Sequence, residues 1–339
     1  MWFARVRAWS QGRLLALSAI AVLGGLGGSL PGAADDALPV VRLGVLEFGT
    51  VNWELDVIRH HELDRANGFT LEVKGYGGDQ AARIALQGGE VDMVVADFFW
   101  ASRQRSEGGD ATWIPYSSSV GAVMVAADGG IESLADLEGK SIGVAGNPTD
   151  KGWLVVQALA RQEHGLDLSR DASPVFGAAP LMTEKMRQGE LDAVLNYWHF
   201  AARLEGEGYT RLIDYNEAAR QLGVGLDVPQ LGYVFSEAWA AAHTASVQGF
   251  AQASKAAKAI LAESDAEWDR IRPLTRAEDE AVFAALMQRF RDGIVTEWGP
   301  AEKEAATEFY DILVELGGAD LVGRATELVP GTFWEPLVY

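Results

Sequence analysis

Cysteine is absent from all 339 residues, so the chain has no disulfide, no thiolate nucleophile and no cysteine on which a lipid could be placed. Positive charge is scarce as well: 28 Lys and Arg stand against 48 Asp and Glu, a net charge of −20. Nucleic acid and an anionic membrane surface would both repel such a protein, which removes them as partners. The sign of the whole does not set the sign of a pocket, because salt confines surface fields to about 10 Å. Catalytic signatures are missing too. There is no Gly-x-Ser-x-Gly turn, no metalloprotease helix motif and no glycine-rich dinucleotide loop after a strand. His60 and His61 are neighbours, and on a helix their side chains point apart and make a poor metal pair. No catalytic residue, cofactor or metal site is therefore expected.

What is present begins with a leader. Arg5, Arg7 and Arg13 precede an apolar stretch, LLALSAIAVLGGLGG, and then SLPGAA ends in small residues. This reads as a cleavable signal peptide over residues 1–34, cut after Ala34, on the general export route because the arginines are unpaired. The stretch falls short of the ~20 apolar residues of a spanning helix, and two glycine pairs weaken it further. No comparable run follows. The mature chain then carries 25 basic and 48 acidic residues, and a periplasmic location is expected.

From Pro39 onward short apolar runs alternate with amphipathic stretches, the pattern of βα units. Strands are expected at 41–48, 69–76 and 91–97, with helices at 52–66, 79–87 and after Asp97. A repeat sharpens this. The segment GEVDMVVADFFWASRQRSEG (89–108) aligns without gaps on GELDAVLNYWHFAARLEGEG (189–208), with eight identities in twenty positions at an offset of 100. Trp53 and Trp153 obey the same offset. Two similar α/β lobes follow. The run 117–130 would carry the chain from the first lobe to the second, and 228–239 would bring it back. Residues 236–317 are patterned as helices that pack on the first lobe, with Pro300 and Glu302 opening the last helix and Gly317–Gly318 closing it. The expected division is lobe 1 from 35–120 and 232–339, lobe 2 from 121–231, and two crossings make a two-segment hinge.

Ligands of open α/β sheets bind beyond the carboxyl ends of the strands. That rule selects Phe48, Gly49, Thr50, Asn52 and Trp53; Gly78, Asp79 and Gln80; and Asp97, Phe98 and Phe99. In the second lobe it selects Asn147, Thr149, Asp150 and Lys151, with Asn196, Tyr197, Trp198 and His199. Helix-start amides with nearby hydroxyls and amide side chains can hold an anion or carbonyl. The aromatics can stack on a ring or surround a cation. Glu47, Asp79, Asp97 and Asp150 either cap helices or face the cleft. In the second case the ligand is a cation, or a metal ion with oxygen ligands. Lys151 is the one basic residue placed to meet an anion.

The segments GTVNWELDVIRHHELDRANGFTLEV (49–73), ALQGGEVDMVVAD (85–97), SLADLEGKSIGVAG (133–146) and QGELDAVLNYW (188–198) resemble the solute-binding proteins of ABC importers with the type II fold. The closer resemblance is to the group that takes sulfonates, taurine, nitrate and thiamine-pyrimidine precursors, and it covers about residues 40–320. It implies two lobes of mixed, mainly parallel sheets around a cleft, a small organic solute, delivery to an inner-membrane permease, and a monomer. Two alternatives share the fold: an accessory protein of a periplasmic quinoprotein dehydrogenase, and an enzyme of thiamine-pyrimidine synthesis. The latter resembles this chain apart from a cysteine-rich iron-binding run that is missing here.

Overall fold

The computed structural model describes residues 38–337, so the leader expected at 1–34 lies outside the described residues. Helices and strands alternate as β1 (Val40–Leu46), α1 (Val51–His60), α2 (Leu63–Ala66), β2 (Thr70–Tyr76), α3 (Asp79–Gln87), β3 (Met93–Asp97), α4 (Phe98–Ser106) and β4 (Ala111–Ser117). There follow β5 (Gly121–Val125), β6 (Ser141–Ala145), α5 (Lys151–His164), α6 (Leu168–Asp171), β7 (Ser173–Gly177), α7 (Ala179–Arg187), β8 (Ala193–Tyr197), α8 (Trp198–Gly206), β9 (Thr210–Asp214) and α9 (Tyr215–Gln221). The chain closes with β10 (Leu231–Ser236), α10 (Glu237–Ala242), α11 (Thr244–Glu263), α12 (Asp265–Thr275), α13 (Glu280–Asp292) and α14 (Pro300–Val322).

Two five-stranded sheets result, in the orders β2-β1-β3-β10-β4 and β7-β6-β8-β5-β9. The orders are equivalent position by position, and β3 and β8, the strands of the hundred-residue repeat, are both central. In each sheet two pairings are parallel and two antiparallel. The antiparallel share is larger than alternating βα units suggest, for a simple reason. The strands that reverse direction, β5 and β10, are those the chain enters after passing from one sheet to the other.

The structure explains what the repeated residues do. Asp92 accepts bonds from the Arg42 backbone N–H (2.8 Å) and from its Nε (3.0 Å) and Nη2 (2.6 Å). Asp192 accepts from the Ser141 N–H (2.8 Å) and Oγ (2.7 Å). Each carboxylate thus fixes β1 or β6, the equivalent strands of the two sheets, against the strand that follows the carboxylate, β3 or β8. Gly89 and Gly189 have φ of 71° and 70°, and Gly108 and Gly208 have 93° and 95°. Those left-handed turns disfavour any residue with a Cβ. These three repeated pairs are therefore scaffold.

The C-terminal helices depart from expectation. α11 and α12 pack on α1 as expected, but α13 lies along α8, and α14 touches both α4 and α5. Phe309 of α14 meets Phe99 (ring centroids 5.8 Å) and Tyr215 (5.8 Å), and so joins apolar residues of both sheets in one core. Pro300 opens α14, with the Gly299 N–H bonded to Glu302 at 2.6 Å. Gly318 interrupts it (φ 55°), yet a further turn runs on to Val322.

His60 and His61 also differ from the helical expectation. The helix ends at His60, so His61 leaves the spiral and the two rings meet edge to face at 4.8 Å. His61 Nε2 lies 3.2 Å from Glu267 Oε2, whose other oxygen accepts from Arg270. The guanidinium already supplies that carboxylate with a cation.

Candidate functional site

Where the carboxyl ends of the two sheets face each other there is a cavity of about 320 Å³. One side is formed by the end of β1 and the turn into α1 (Gly44–Leu46, Gly49–Val51), by Asp79 and Arg83 of α3, and by Asp97 at the end of β3. The other side is formed by Asp150–Gly152 at the start of α5, by Leu195–His199 at the junction of β8 and α8, and by Tyr215 of α9. Gln230 and Leu231 of the return crossing close the floor with Tyr116. The walls are mostly apolar, a common property of small-molecule sites.

Sequence dictates this arrangement locally. Asp97 and Asp150 each begin a helix, and their carboxylates accept from the Trp100 N–H (2.8 Å) and the Trp153 N–H (3.2 Å). The same two side chains line the cavity. Capping and facing the cleft, alternatives in the sequence, are both true of them. Lys151 Nζ reaches across from α5 to Asp97 Oδ2 at 3.3 Å and also lies 5.5 Å from the Phe99 ring. Burial alone would raise the Asp97 carboxyl, but Lys151, the Trp100 amide and Arg83 together hold it below its ordinary value. Asp150 goes the other way: burial raises it, and Lys151 offsets only part. His199 is depressed to about 4 by burial and by the Arg203 cation, so its ring is neutral at pH 7.

Two further groups stand out. Tyr215 and Gln230 are each only 2% exposed, and neither the phenol oxygen nor either amide atom of Gln230 has a hydrogen-bond partner. Gln230 lies beside Tyr215 without forming a bond of good geometry. A buried polar group left unpaired costs roughly 1–3 kcal/mol. Both line the cavity, so a bound molecule can satisfy them.

Of the residues selected from sequence, Gly49, Thr50, Asp79, Asp97, Asp150, Lys151, Asn196, Tyr197 and Trp198 line this cavity. The Asn196 side chain is turned to structure, donating to Ala179 O (3.1 Å) and Thr183 Oγ1 (2.9 Å). Phe48, Asn52 and Trp53 line an adjoining cavity of about 480 Å³ that shares Gly49, Thr50 and His199 with the first. Asn52 secures the turn by donating to Leu46 O and Gly49 O, both at 2.8 Å. Trp53 is 4% exposed and packs edge-on against Trp198 and Trp268, each at 5.8 Å.

Gly78, Gln80, Phe98, Phe99, Asn147 and Thr149 line neither cavity. Phe99 stacks on Tyr310 (5.0 Å, 12°) and Phe98 packs on Trp113 (5.7 Å), because α14 and the C-terminal segment cover the first turn of α4. Asn147 Oδ1 accepts from the Thr149 N–H and hydroxyl, which closes a local turn. Sequence reasoning missed Arg83, Tyr116, Tyr215 and Gln230, while His199, at the end of the selected second-lobe segment, does line the cavity. Arg83 is one turn beyond Asp79 on the same helix face, a spacing that could have found it. Tyr215 follows β9, a strand whose weak alternation gave no signal.

Residues 65–267 match the NMT1/THI5 like family. No curated protein matches the sequence significantly. Among solved structures, the periplasmic aliphatic sulphonate binding protein SsuA from Escherichia coli is similar with a TM-score of 0.69 at 16% identity, over 88% of this chain and 98% of that one. The alkanesulfonate-binding protein SsuA from Xanthomonas axonopodis pv. citri, bound to MOPS, gives 0.66 at 18% identity, over 88% and 99%. The periplasmic nitrate-binding protein NrtA from Synechocystis PCC 6803 gives 0.61 at 11% identity, over 88% and 87%. At such identities the likeness is one of fold alone, the two-lobed fold of those binding proteins.

Proposed function

The chain belongs to the NMT1/THI5-like family, and from that premise we propose that it is the periplasmic solute-binding component of an ABC importer. It binds one small organic solute between its sheets and delivers it to an inner-membrane permease. It is not an enzyme. In this reading residues 1–34 are a removed signal peptide, 35–120 with 232–339 form one lobe, and 121–231 form the other. The observation that carries the reading is the pair Tyr215 and Gln230, buried, without a hydrogen bond of good geometry, and lining a cavity to which both sheets contribute. A protein maintains such groups when a ligand completes them. The Asp97–Lys151 pair, which joins helices of the two sheets across the cavity, supports closure around that ligand.

The test is a thermal-shift screen of the purified protein, freed of carried-over ligand by unfolding and refolding, against sulfonates, pyrimidines, amines, polyols and metal ions. A ligand at a hundred times its Kd stabilises the folded state by about 2.7 kcal/mol, and titration calorimetry should then give one site per chain. Silence across the panel, with a dehydrogenase recovered by pull-down, would replace transport by the accessory role.

A further inference from the structure

The two histidines that sequence set aside as a poor metal pair meet a third ligand in space. α1 ends at His60, His61 follows as its last capping residue, and Glu62 then takes a left-handed φ of 51° that turns the chain away. The turn brings the two exposed rings edge to face at 4.8 Å. Glu267 faces them from the first turn of α12, where Ser264 Oγ accepts from its N–H at 3.1 Å. One ligand atom from each of the three side chains lies within 4.8 Å of those from the other two. None of the three lines either cavity.

We propose that His60, His61 and Glu267 form a binding site for one divalent transition-metal ion, with Zn(II) the test case, separate from the solute cavity. Two imidazoles and a carboxylate suit such borderline ions, whereas Mg(II) and Ca(II) require oxygen ligands. The spacing fits. Ligands held at about 2.0–2.1 Å by a tetrahedral ion stand roughly 3.3 Å apart, and His61 Nε2 is 3.2 Å from Glu267 Oε2. His60 is exposed, so a rotation of its side chain closes the remaining distance. The carboxylate is already aimed. Its other oxygen, Oε1, accepts from Arg270 Nε (2.9 Å) and Nη2 (2.7 Å), which leaves Oε2 towards His61. Hydrogen bonds of this kind orient metal-binding carboxylates. Arg270 also pairs with Asp56 at 2.6 Å, so Asp56, Arg270 and Glu267 together present one negative charge to the ion. The bound ion ties the end of α1 to the start of α12 and leaves its outer side to water.

Titration calorimetry with ZnCl2 tests this on the exported protein, made without a polyhistidine tag and cleared of metal with EDTA. One ion per chain should bind with a Kd on the order of micromolar, and MgCl2 should not bind. Saturating Zn(II) should also raise the melting temperature, as any ligand of the folded state does. His60→Ala and His61→Ala should each weaken binding at least tenfold and remove the thermal rise, with circular dichroism confirming folded protein. His164→Ala and His243→Ala, which lie outside the cluster, should bind Zn(II) as the parent does. Absence of saturable Zn(II) binding overturns the site, and so does equal binding of MgCl2. Affinity unchanged in both His60→Ala and His61→Ala, or a loss shared equally by His164→Ala and His243→Ala, overturns it too.

Discussion

Removing the Lys258 charge should be among the most damaging single changes to this fold. Lys258 of α11 is 3% exposed and lies 2.9 Å from Glu54 of α1, which is fully buried. Its ammonium also donates to Ser254 Oγ (2.6 Å) and sits 5.0 Å from the Tyr116 ring. Glu54 Oε1 accepts from the Tyr233 hydroxyl at 2.8 Å, and burial, followed by Glu54 itself, pushes that phenol well above its ordinary pKa and keeps it a donor. Lys258→Met keeps the aliphatic stem and deletes the cation, so Glu54 is left buried with its charge uncompensated. Breaking a buried pair from one side costs roughly 3–5 kcal/mol, a fifth or more of the roughly 5–15 kcal/mol that holds a typical domain folded. In melting temperature that is a fall on the order of 5–15 °C. The double variant Glu54→Gln with Lys258→Met carries no buried charge, and Gln still accepts from Tyr233, so most of the loss should be recovered. Urea unfolding followed by tryptophan fluorescence measures both, with equal m-values as the control. A single-variant loss below about 1 kcal/mol, or a double variant no better than the single, would refute the reasoning.

Trp53→Ala should cost about 3–5 kcal/mol, because the ring is wedged among Trp198, Trp268 and Phe290 and its Nε1 donates to Leu274 O at 3.2 Å; chemical denaturation checks this. The depressed His199 gives a pH dependence with a definite sign. Between about 6.5 and about 4 the unfolded chain takes up a proton that the folded protein refuses, so stability falls as pH drops through that window. His199→Gln should flatten the curve in urea titrations across that range. Asp150→Asn should raise the stability of the ligand-free protein at pH 7. The raised folded pKa means its contribution is present at low pH and is lost as pH rises, while Asn still caps α5. A melting temperature at or below that of the parent would count against it. Gly232→Ala should destabilise strongly, since its Cβ would fall 2.1 Å from the Trp113 indole in the middle of the first sheet; thermal melting reads it directly.

Sequence alone determined the βα units, the repeat and the strand ends that face the cavity. These are local or periodic features: a carboxylate before a helix, an apolar run of strand length, an offset that recurs. Asp79, Asp97, Asp150, Lys151 and Tyr197 were legible for that reason, because position at a strand end or a helix start already places a side chain near the cleft. Only tertiary structure could decide the rest. Whether Phe98 and Phe99 meet a ligand or a core depends on α14 and the C-terminal segment, two hundred residues and more away in sequence, whose Phe309, Tyr310 and Phe333 cover them. The antiparallel strands β5 and β10 follow from where the chain crosses, which no local pattern encodes. Tyr215 and Gln230 carry no motif, and their lack of partners exists only once the surrounding chain has excluded water. The charge of the cavity is decided in the same way. Asp79, Asp97, Asp150 and Lys151 were visible in the sequence, but that Lys151 pairs with Asp97 is set by distances across the folded cleft.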